Sequence, residues 1–401
     1  MRSLEGNILK FNYYKIFTKR VYLPLIAIFL IDQGGVTLEQ IAIIGSITAI
    51  VQFIMEIPSG YFADRFGHKK TLVLGASLCA LSVLPYIFSP SFFGGLIASA
   101  GFFGGYSFTS GTIQAFIHET LLSLGKDQDY SRIMGHGQSF GLLGNVLLVS
   151  LVPLTYSIHP KLPFIIGFLC LLIALFIVLS FVEPEATYPV KEEGYHKGTI
   201  KKIRQMSREI PFLRIFLTFL IFGIVSGSFD NVGLFREVTF RDVGIPVQIF
   251  GFLVAFGSLL AAIGGRFIHH LKRLSPNKFY AFDAAYLVLA CIFVGMTQNP
   301  IVLVVAFALF PAYGRTRDII FESQVFEEFP HSKFKATLIS IMNFFGLINS
   351  IWIPLLLGFL VGHFRLSGGY VFFGATIGII ILPLLLFHAM ASRRVPLEKT
   401  T

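Results

Sequence analysis

The chain has 401 residues, of which 54% are hydrophobic and 13% are charged, and its mean hydropathy is +0.74. A soluble domain of this length cannot bury so many apolar side chains, so the composition excludes a soluble globular protein and indicates an integral membrane protein. The formal net charge of +10 does not indicate a nucleic-acid partner, because Lys and Arg recur in short loops between apolar runs, where they set membrane topology.

The start of the chain and its cysteines carry little further information. Residues 1–20 are mixed polar and basic, and no small-residue cleavage site follows the first apolar run. We therefore expect an uncleaved cytosolic segment that leads into the first membrane span. Three cysteines, Cys79, Cys170 and Cys291, lie inside apolar runs without paired spacing, which predicts neither a disulfide nor a metal site.

Long apolar runs predict an all-α protein with twelve membrane spans, because about 20 helical residues cross about 30 Å of hydrocarbon. The first six predicted spans cover about residues 14–33, 38–63, 71–88, 92–119, 133–156 and 162–182. Glycines recur in the fifth span, where they allow a neighbouring backbone to approach closely: Gly135, Gly137, Gly141 and Gly144.

The apolar character stops between residues 183 and 209, where Lys, Arg and Glu crowd together. This stretch predicts a cytosolic linker between an N-terminal half, residues 1–182, and a C-terminal half, residues 210–401, that ends in a short basic tail. Six further spans are predicted over about residues 211–230, 247–268, 279–296, 301–326, 334–361 and 370–390. Between the seventh and eighth spans we expect a polar external segment that holds Arg236, Glu237, Arg241 and Asp242.

Basic residues predict the orientation, since cytosolic loops carry an excess of Lys and Arg. Only Lys161, Arg236, Arg241 and Arg365 fall in predicted external loops, so both termini are predicted to be cytosolic. An internal repeat agrees with two similar halves: FGLLGN at residues 140–145 is echoed by FGLINS at residues 345–350, 205 positions later.

The loop between the second and third spans carries the most specific motif, GYFADRFGHKK at residues 60–70. It resembles the loop between helices 2 and 3 of the major facilitator superfamily of secondary transporters, Gly-x-x-x-Asp-Arg-x-Gly-Arg-Lys, with His68 in place of the first closing Arg. The resemblance implies two pseudo-symmetric six-helix bundles that rock about a substrate site near the middle of the membrane. It also implies a monomeric, multi-pass protein of a bacterial inner membrane.

By this resemblance, the motif forms a gate, with Gly60, Asp64, Arg65, Gly67, Lys69 and Lys70 as its residues. Asp64 is expected to accept hydrogen bonds from the exposed N–H groups at the start of the eleventh span, near residues 335–337, and so to latch the two halves. For Arg65, Lys69 and Lys70, anchoring at the cytosolic surface is the alternative.

Ionisable residues inside spans cost about 2.5 to 3.5 kcal/mol each on insertion scales, so each is a candidate for function. The candidates for proton or ion coupling are Asp32, His118, Glu119, His136 and Asp230. His titrates near neutral pH and a buried carboxylate can approach it, which suits a proton relay. The alternatives are structural histidines and, for Asp32 and Asp230, helix-end residues in water. None has metal-ligand spacing, and no cofactor is predicted.

The tenth span holds a cluster of charges that predicts either a substrate contact or a solvated gate face. Arg315, Asp318 and Glu322 lie at positions i, i+3 and i+7, so they share one helix face and can pair along it. Arg317 points elsewhere, and we expect it to pair with the other half.

These features predict secondary transport of a small molecule by alternating access. No GxxxxGK(S/T) loop is present, so we expect the energy to come from an ion gradient, in the first place of protons. One hypothesis is efflux of an amphipathic compound, indicated by the 45 Phe residues and the intramembrane acids; a second is uptake of an anionic metabolite, indicated by Arg315 and Arg317. The alternative from another class is a membrane enzyme in which His118, Glu119 and His136 converge at one pocket.

Overall fold

The structure, a computed structural model, describes residues 4–184, 212–264, 274–328 and 335–394, and its regular elements in these ranges are helices, with no strand. The described residues divide into two units. The first contains residues 4–184 and Glu237–Phe256, and the second contains residues 212–236 and the described residues from Gly257 onward. The predicted halves place residues 237–256 differently, and the predicted linker over residues 183–209 lies almost wholly outside the described ranges.

Two helices, α1 (Gly6–Phe17) and α2 (Ile26–Gly34), replace the single first span predicted over residues 14–33. The residues between them include a short 3-10 turn at Leu23–Leu25, where Pro24 lacks the N–H that a helix interior needs. The helix begins earlier than predicted, since residues 6–13 belong to α1 and Phe11 packs with Tyr14 in the core of the first unit. The cytosolic position of the N-terminus stays a prediction.

The rest of the first unit consists of α3 (Leu38–Phe66), α4 (His68–Leu81), α5 (Leu84–Phe88), α6 (Phe92–Ser123), α7 (Tyr130–Leu151) and α8 (Leu162–Leu179). Thr37 caps α3: its hydroxyl accepts from the Gln40 N–H at 3.3 Å, and the Gln40 side chain accepts from the Thr37 N–H at 3.0 Å. Between α3 and α4, Gly67 has a φ of +90°, which residues with a Cβ rarely adopt.

Glycines of α7 bring α1 close, as the glycine-rich fifth span predicts. A Cβ at Gly137 would lie 2.2 Å from the Phe11 ring, and one at Gly141 would lie 3.1 Å from the Lys15 backbone oxygen. At Gly144 the nearest atom would be a side-chain carbon of Ile16, at 2.5 Å. The close neighbour of these three glycines is therefore α1.

Hydrogen bonds identify one end of the first unit. The Asn7 amide donates to the Val182 carbonyl at 2.8 Å, and its oxygen accepts from the Val182 N–H at 3.0 Å. We call this the Asn7 end. At the opposite end, which we call the Asp32 end, α2 finishes at Gly34 against the backbone of Pro90.

In the second unit, α9 (Phe212–Val232) continues through a 3-10 turn at Gly233–Phe235 into α10 (Arg236–Asp242), most of which belongs to the first unit. The prediction that the seventh span ends near Asp230 and leads into a polar external segment is therefore wrong. Alternate apolar side chains keep this segment packed, and Glu237 itself is only 6% exposed.

The remaining helices are α11 (Phe250–Gly264), α12 (Pro276–Met296), α13 (Pro300–Glu328) and α14 (Lys335–Arg394). The last is two helices joined at a sharp kink, where Phe364 and Arg365 have non-helical backbone angles. Glycines again mediate close packing, because Gly223 and Gly227 of α9 lie against Asn349 of α14.

By length and composition, seven helical stretches in the described ranges are apolar enough to cross a membrane. One of them is the kinked stretch Leu338–Ala391. The predicted number of twelve spans stays a prediction.

Candidate functional site

The loop at residues 60–70 is fixed by contacts within the first unit. The His68 Nε2 atom lies 3.0 Å from a Glu119 carboxylate oxygen, and the Lys69 N–H donates to the Glu183 carboxylate at 3.3 Å. The Thr71 hydroxyl donates to the Gly67 carbonyl at 2.8 Å. The structure thus brings together His68 and Glu119, and it adds Glu183, which sequence reasoning did not single out.

Asp64 and Arg65 of the motif are exposed. Asp64 lines a cavity of about 220 Å³ with Glu56, Ser59 and Gly60, and Arg65 donates to the Tyr61 hydroxyl at 2.8 Å. Lys70 is exposed and Lys69 is half-buried. The side chains of residues 335–337 lie outside the described part of the chain, so the latch role of Asp64 stays a prediction.

The three residues of the enzyme hypothesis have different surroundings. Glu119 pairs with His68, whereas His118 is exposed and packs edge-on against the Tyr130 ring, with 5.4 Å between ring centroids. His136 is exposed as well. Within residues 4–184, no described contact joins His118, Glu119 and His136.

Asp32 forms an ion pair at the Asp32 end. One carboxylate oxygen lies 2.6 Å from Arg241 Nη1, and the other accepts from the Tyr156 hydroxyl at 3.5 Å. Both Asp32 and Arg241 are about one-third exposed, with side-chain exposures of 37% and 34%. Asp32 is therefore a partly solvated helix-end residue with a cationic partner.

Arg317 is buried with two carboxylates. Its Nε donates to Asp283 at 2.8 Å, its Nη2 donates to the other Asp283 oxygen at 2.7 Å, and its Nη1 donates to Asp318 at 2.8 Å. The side chains of Arg317 and Asp283 are 1% and 3% exposed. The expectation that Arg317 pairs with the other half is wrong, because Asp283 belongs to α12 of the same unit.

Aromatic groups complete this cluster. The guanidinium carbon of Arg317 lies 4.9 Å from the centre of the Phe222 ring and 5.5 Å from that of Phe229. The Tyr313 hydroxyl donates to Asp283 at 3.0 Å. Sequence reasoning missed Asp283, although it is the only acid of the apolar ninth span and thus carried a signal.

A cavity of about 300 Å³ in the second unit adjoins the cluster. Its walls include Asp230, Arg236, Arg317 and Asp318 beside the rings of Phe229 and Phe310. The structure thus places Asp230, from the first candidate group, next to Arg317 and Asp318, from the second. Glu322 is half-buried outside this cavity, and the side chain of Arg315 lies outside the described part of the chain.

Three basic residues stand where the first membrane helix is interrupted. Lys15 is in the last turn of α1, and Lys19 and Arg20 follow in the break. Lys15 is eight residues from Asn7 along α1, about 12 Å at 1.5 Å per residue. A hydrocarbon core of about 30 Å has its midplane about 15 Å from either surface, so with the Asn7 end at one surface we expect Lys15 to lie near mid-membrane depth.

Two of these cations differ in how their charge is compensated. The Arg20 guanidinium lies 4.6 Å from the centres of both the Phe102 and Phe103 rings, and such contacts contribute about 0.5 to 2 kcal/mol. Lys15 has one distant ring, Phe11 at 5.4 Å, and the C-terminal dipole of α1, which contributes about 0.3 to 1 kcal/mol. Against a cost of about 2.5 to 3.5 kcal/mol for a charge at mid-membrane, Lys15 remains under-compensated.

A second cavity, of about 290 Å³, opens beside Lys15 in the first unit. It is lined by Lys15 and Lys19 together with polar side chains that include Tyr106, Ser110, Gln114 and Gln138. The two cavities therefore differ in charge: the described lining of this one has lysines and no carboxylate, whereas that of the second unit has two carboxylates and two arginines.

The sequence matches the family model of the Major Facilitator Superfamily over residues 15–316. The chain belongs to the Major Facilitator Superfamily. Its relatives include YxaM of Bacillus subtilis (strain 168), an uncharacterized MFS-type transporter that is 23% identical over 380 residues. That similarity covers 92% of this chain and 91% of YxaM.

Solved structures of other transporters share the MFS fold. The nucleoside transporter NupG superimposes with a TM-score of 0.75 at 12% identity, over 97% of this chain and 98% of that chain. A bacterial homolog of the human lysosomal transporter Spinster, inward-facing and unoccupied, gives a TM-score of 0.70 at 14% identity, over 96% and 95% of the two chains. The predicted MFS fold is confirmed, and the protein is a multi-pass membrane transporter of the MFS type.

Proposed function

We propose that this MFS transporter couples solute movement to protons and that Asp230 is the group that binds and releases the proton. One observation supports the proposal. Asp230 lines the charged cavity of the second unit, and no residue in the described part of the chain forms a hydrogen bond or ion pair with its carboxylate.

The charges around Asp230 explain why a proton suits it. Asp283 and Asp318 both accept hydrogen bonds from the Arg317 guanidinium, so the positive charge of Arg317 is already neutralised without Asp230. An ionised carboxylate away from water is costly unless a counter-charge or a proton neutralises it. Asp230 is exposed to the cavity that it lines, so water can bring a proton to its carboxylate and take it away, as coupling to a proton gradient needs.

The contacts of Arg317 also bear on which class of solute the cavity of the second unit can bind. Arg317 offers little to an anionic solute, because each of its nitrogens already donates to a carboxylate. The described lining of this cavity also holds Arg236, but the carboxylates of Asp230 and Asp318 are beside it, so the lining does not favour an anion. The first unit offers Lys15, in a cavity whose described lining has no carboxylate. Efflux of an amphipathic compound is the second candidate function, favoured by the rings of Phe229, Phe307 and Phe310 in the wall of the cavity.

The test uses the purified full chain in proteoliposomes with labelled anionic, neutral and cationic solutes. We measure exchange without a gradient, and accumulation with the interior either alkaline or acidic relative to the outside. The wild-type protein is expected to accumulate solute under only one sign of gradient. An inside-alkaline requirement indicates symport and uptake, and an inside-acid requirement indicates antiport and efflux.

Two matched variants locate the coupling group. Asp230→Asn removes the titratable carboxyl and is expected to keep exchange while it loses gradient-driven accumulation. Asp242→Asn, at the exposed end of α10, is expected to keep both. Full gradient-driven accumulation by Asp230→Asn contradicts the proposal, as does wild-type accumulation that ignores the pH gradient.

A further inference from the structure

We propose that the first unit binds a small organic anion in the cavity beside the break in the first membrane helix, with Lys15 as its main charge partner. The inference rests on the proposed function in one respect, since the bound anion is taken to be the transported solute. The binding site itself is argued from the first unit alone.

Packing contacts of α1 fix the position of Lys15 in the first unit. Gly141 of α7 lets the backbone of α1 come so close that an added Cβ would lie 3.1 Å from Lys15 atoms. On the other side, Tyr14 is buried in the core, with 4% exposure. The backbone of Lys15 is therefore fixed by the packing of α1 against α7 and against the core.

The lining of the cavity fits an anion that also carries hydroxyl groups. Lys15 and Lys19 supply ammonium groups, and no carboxylate is among the lining residues that the structure describes. Ser110, Gln114 and Gln138 add neutral donors and acceptors. A cationic solute would meet two like charges here, and a purely apolar one would leave these polar groups unpaired.

The volume sets the size of the ligand. A space of about 290 Å³ corresponds to roughly ten water molecules at about 30 Å³ each, which suits an organic anion of about ten non-hydrogen atoms. A carboxylate and a phosphate monoester present the same chemistry to a lysine ammonium group, because both offer charged oxygen acceptors. The experiment therefore includes both.

Binding is measured at fixed pH, without a gradient, on the purified full chain in detergent. The probes are two hydroxycarboxylates, lactate and gluconate, and two phosphate monoesters, glycerol 3-phosphate and glucose 6-phosphate. Glycerol and glucose serve as neutral matches and choline as a cation. At least one anion is expected to raise the thermal unfolding midpoint with a saturable dose response, whereas its neutral match and choline do not.

Variants of two lysines in α1 distinguish binding at a specific site from a general effect of positive charge. Lys15→Gln is expected to weaken binding of that anion about tenfold or more, since a hydrogen bond to a charged group is lost, and Lys15→Arg is expected to restore part of it. Lys10→Gln is the matched control: Lys10 donates to the Ser180 carbonyl near the Asn7 end and lies outside the cavity. It is expected to leave the affinity unchanged.

Several outcomes overturn the site. The proposal is contradicted if none of the four anions stabilises the protein, or if the neutral match stabilises it equally. It is also contradicted if Lys10→Gln and Lys15→Gln lose the same affinity. Should Lys15→Gln fail to fold, Lys15→Met takes its place, because it keeps the length of the side chain and removes the charge. Unchanged anion affinity in Lys15→Met overturns the site.

The same measurements keep this inference apart from proton coupling. Anion binding without any gradient-driven accumulation would refute the coupling and leave the site standing. Gradient-driven accumulation of a neutral or cationic solute, with no anion bound, would refute the site and leave the coupling standing.

Discussion

Arg317 illustrates how a single charge is tolerated inside a helix of this transporter. Among the described residues it is the largest side chain with less than 2% exposure. Asp283 binds it through both carboxylate oxygens, Asp318 binds the remaining terminal nitrogen, and two phenyl rings flank it. Taking charges out of water costs several kcal/mol per ion, so this cluster is stable only while its partners are complete.

Replacing Asp283 by Asn is therefore expected to destabilise the protein by about 3 to 5 kcal/mol, because the Arg317 guanidinium loses its main counter-charge. The measurement is the thermal unfolding midpoint in detergent. The comparison is Asp318→Asn, which removes the charge of a side chain that is 49% exposed and is expected to lower the midpoint less. A double variant, Asp283→Asn with Arg317→Gln, should recover part of the loss; a further drop would contradict this account.

At this scale the sequence identified charges but not their partners. The cost of an intramembrane charge pointed to Asp230, Arg317 and Asp318, which the structure places around one cavity. The sequence did not reveal that Arg317 pairs with Asp283. That pairing depends on how α12 and α13 face each other, and the spacing of residues within one helix does not determine it. Lys15 fell at the start of the predicted first span and also within the polar segment of residues 1–20, so it was not counted among the charges inside spans.

At the level of elements, the first membrane helix departs most from the prediction. Residues 6–17 carry Asn7, Lys10, Asn12 and Lys15, so their mean hydropathy is low and a search for long apolar runs overlooks them. Yet Ile8, Phe11 and Tyr14 recur at helical spacing and pack into the core. The later helices with continuous apolar character, such as α8 and α12, fall where they were predicted.

Close packing of α1 against α7 makes a prediction about glycine. In Gly137→Val the new Cβ would lie 2.2 Å from the Phe11 ring, which is fully buried and has no room to move. Overpacking of this kind costs about 1 to 3 kcal/mol, so the thermal unfolding midpoint should fall.

The matched control is Gly135→Val on the same helix, where no atom lies within 4 Å of the added Cβ. It is expected to leave the midpoint unchanged or to raise it, since Gly is a poor helix former. Adding Phe11→Ala to Gly137→Val should cost less than the two single changes together suggest, because both act on one contact. Equal effects at Gly135 and Gly137 would argue against the packing explanation.

At the level of the whole molecule, the repeat found in the sequence corresponds to matched packing in the two units. In the first unit, glycines of α7 receive α1; in the second, glycines of α9 receive the part of α14 that contains Asn349. The 205-residue offset aligns Gly144 with Asn349, so the small residues have changed sides between the two copies. This exchange explains why the repeat is faint in sequence although the helix pairing is retained.

Residues 237–256 make contacts at the Asp32 end that we expect to matter in the transport cycle. They belong to the first unit, where Arg241 pairs with Asp32, Gln248 donates to Ser157 at 2.8 Å, and Gly251 lies against the backbone of Val149. Alternating access requires that the contacts which close one end of a transporter break once per cycle. We expect these contacts to close the Asp32 end.

Arg241→Gln is therefore expected to open the Asp32 end more often. The reporter is Pro153→Cys, a buried position next to Gly251, in a chain whose free cysteines Cys79, Cys170 and Cys291 are replaced by Ser. A partly exposed ion pair contributes about 0.2 to 1 kcal/mol, so the rate of labelling by a membrane-impermeant maleimide should rise by no more than about fivefold. The charge swap Asp32→Arg with Arg241→Asp should restore slow labelling, because the pair is rebuilt with its signs reversed.

The control is Lys161→Gln, which removes a positive charge from another predicted external loop and should leave the labelling rate unchanged. Equal labelling of Arg241→Gln and the parent chain would mean that the ion pair does not hold this end closed.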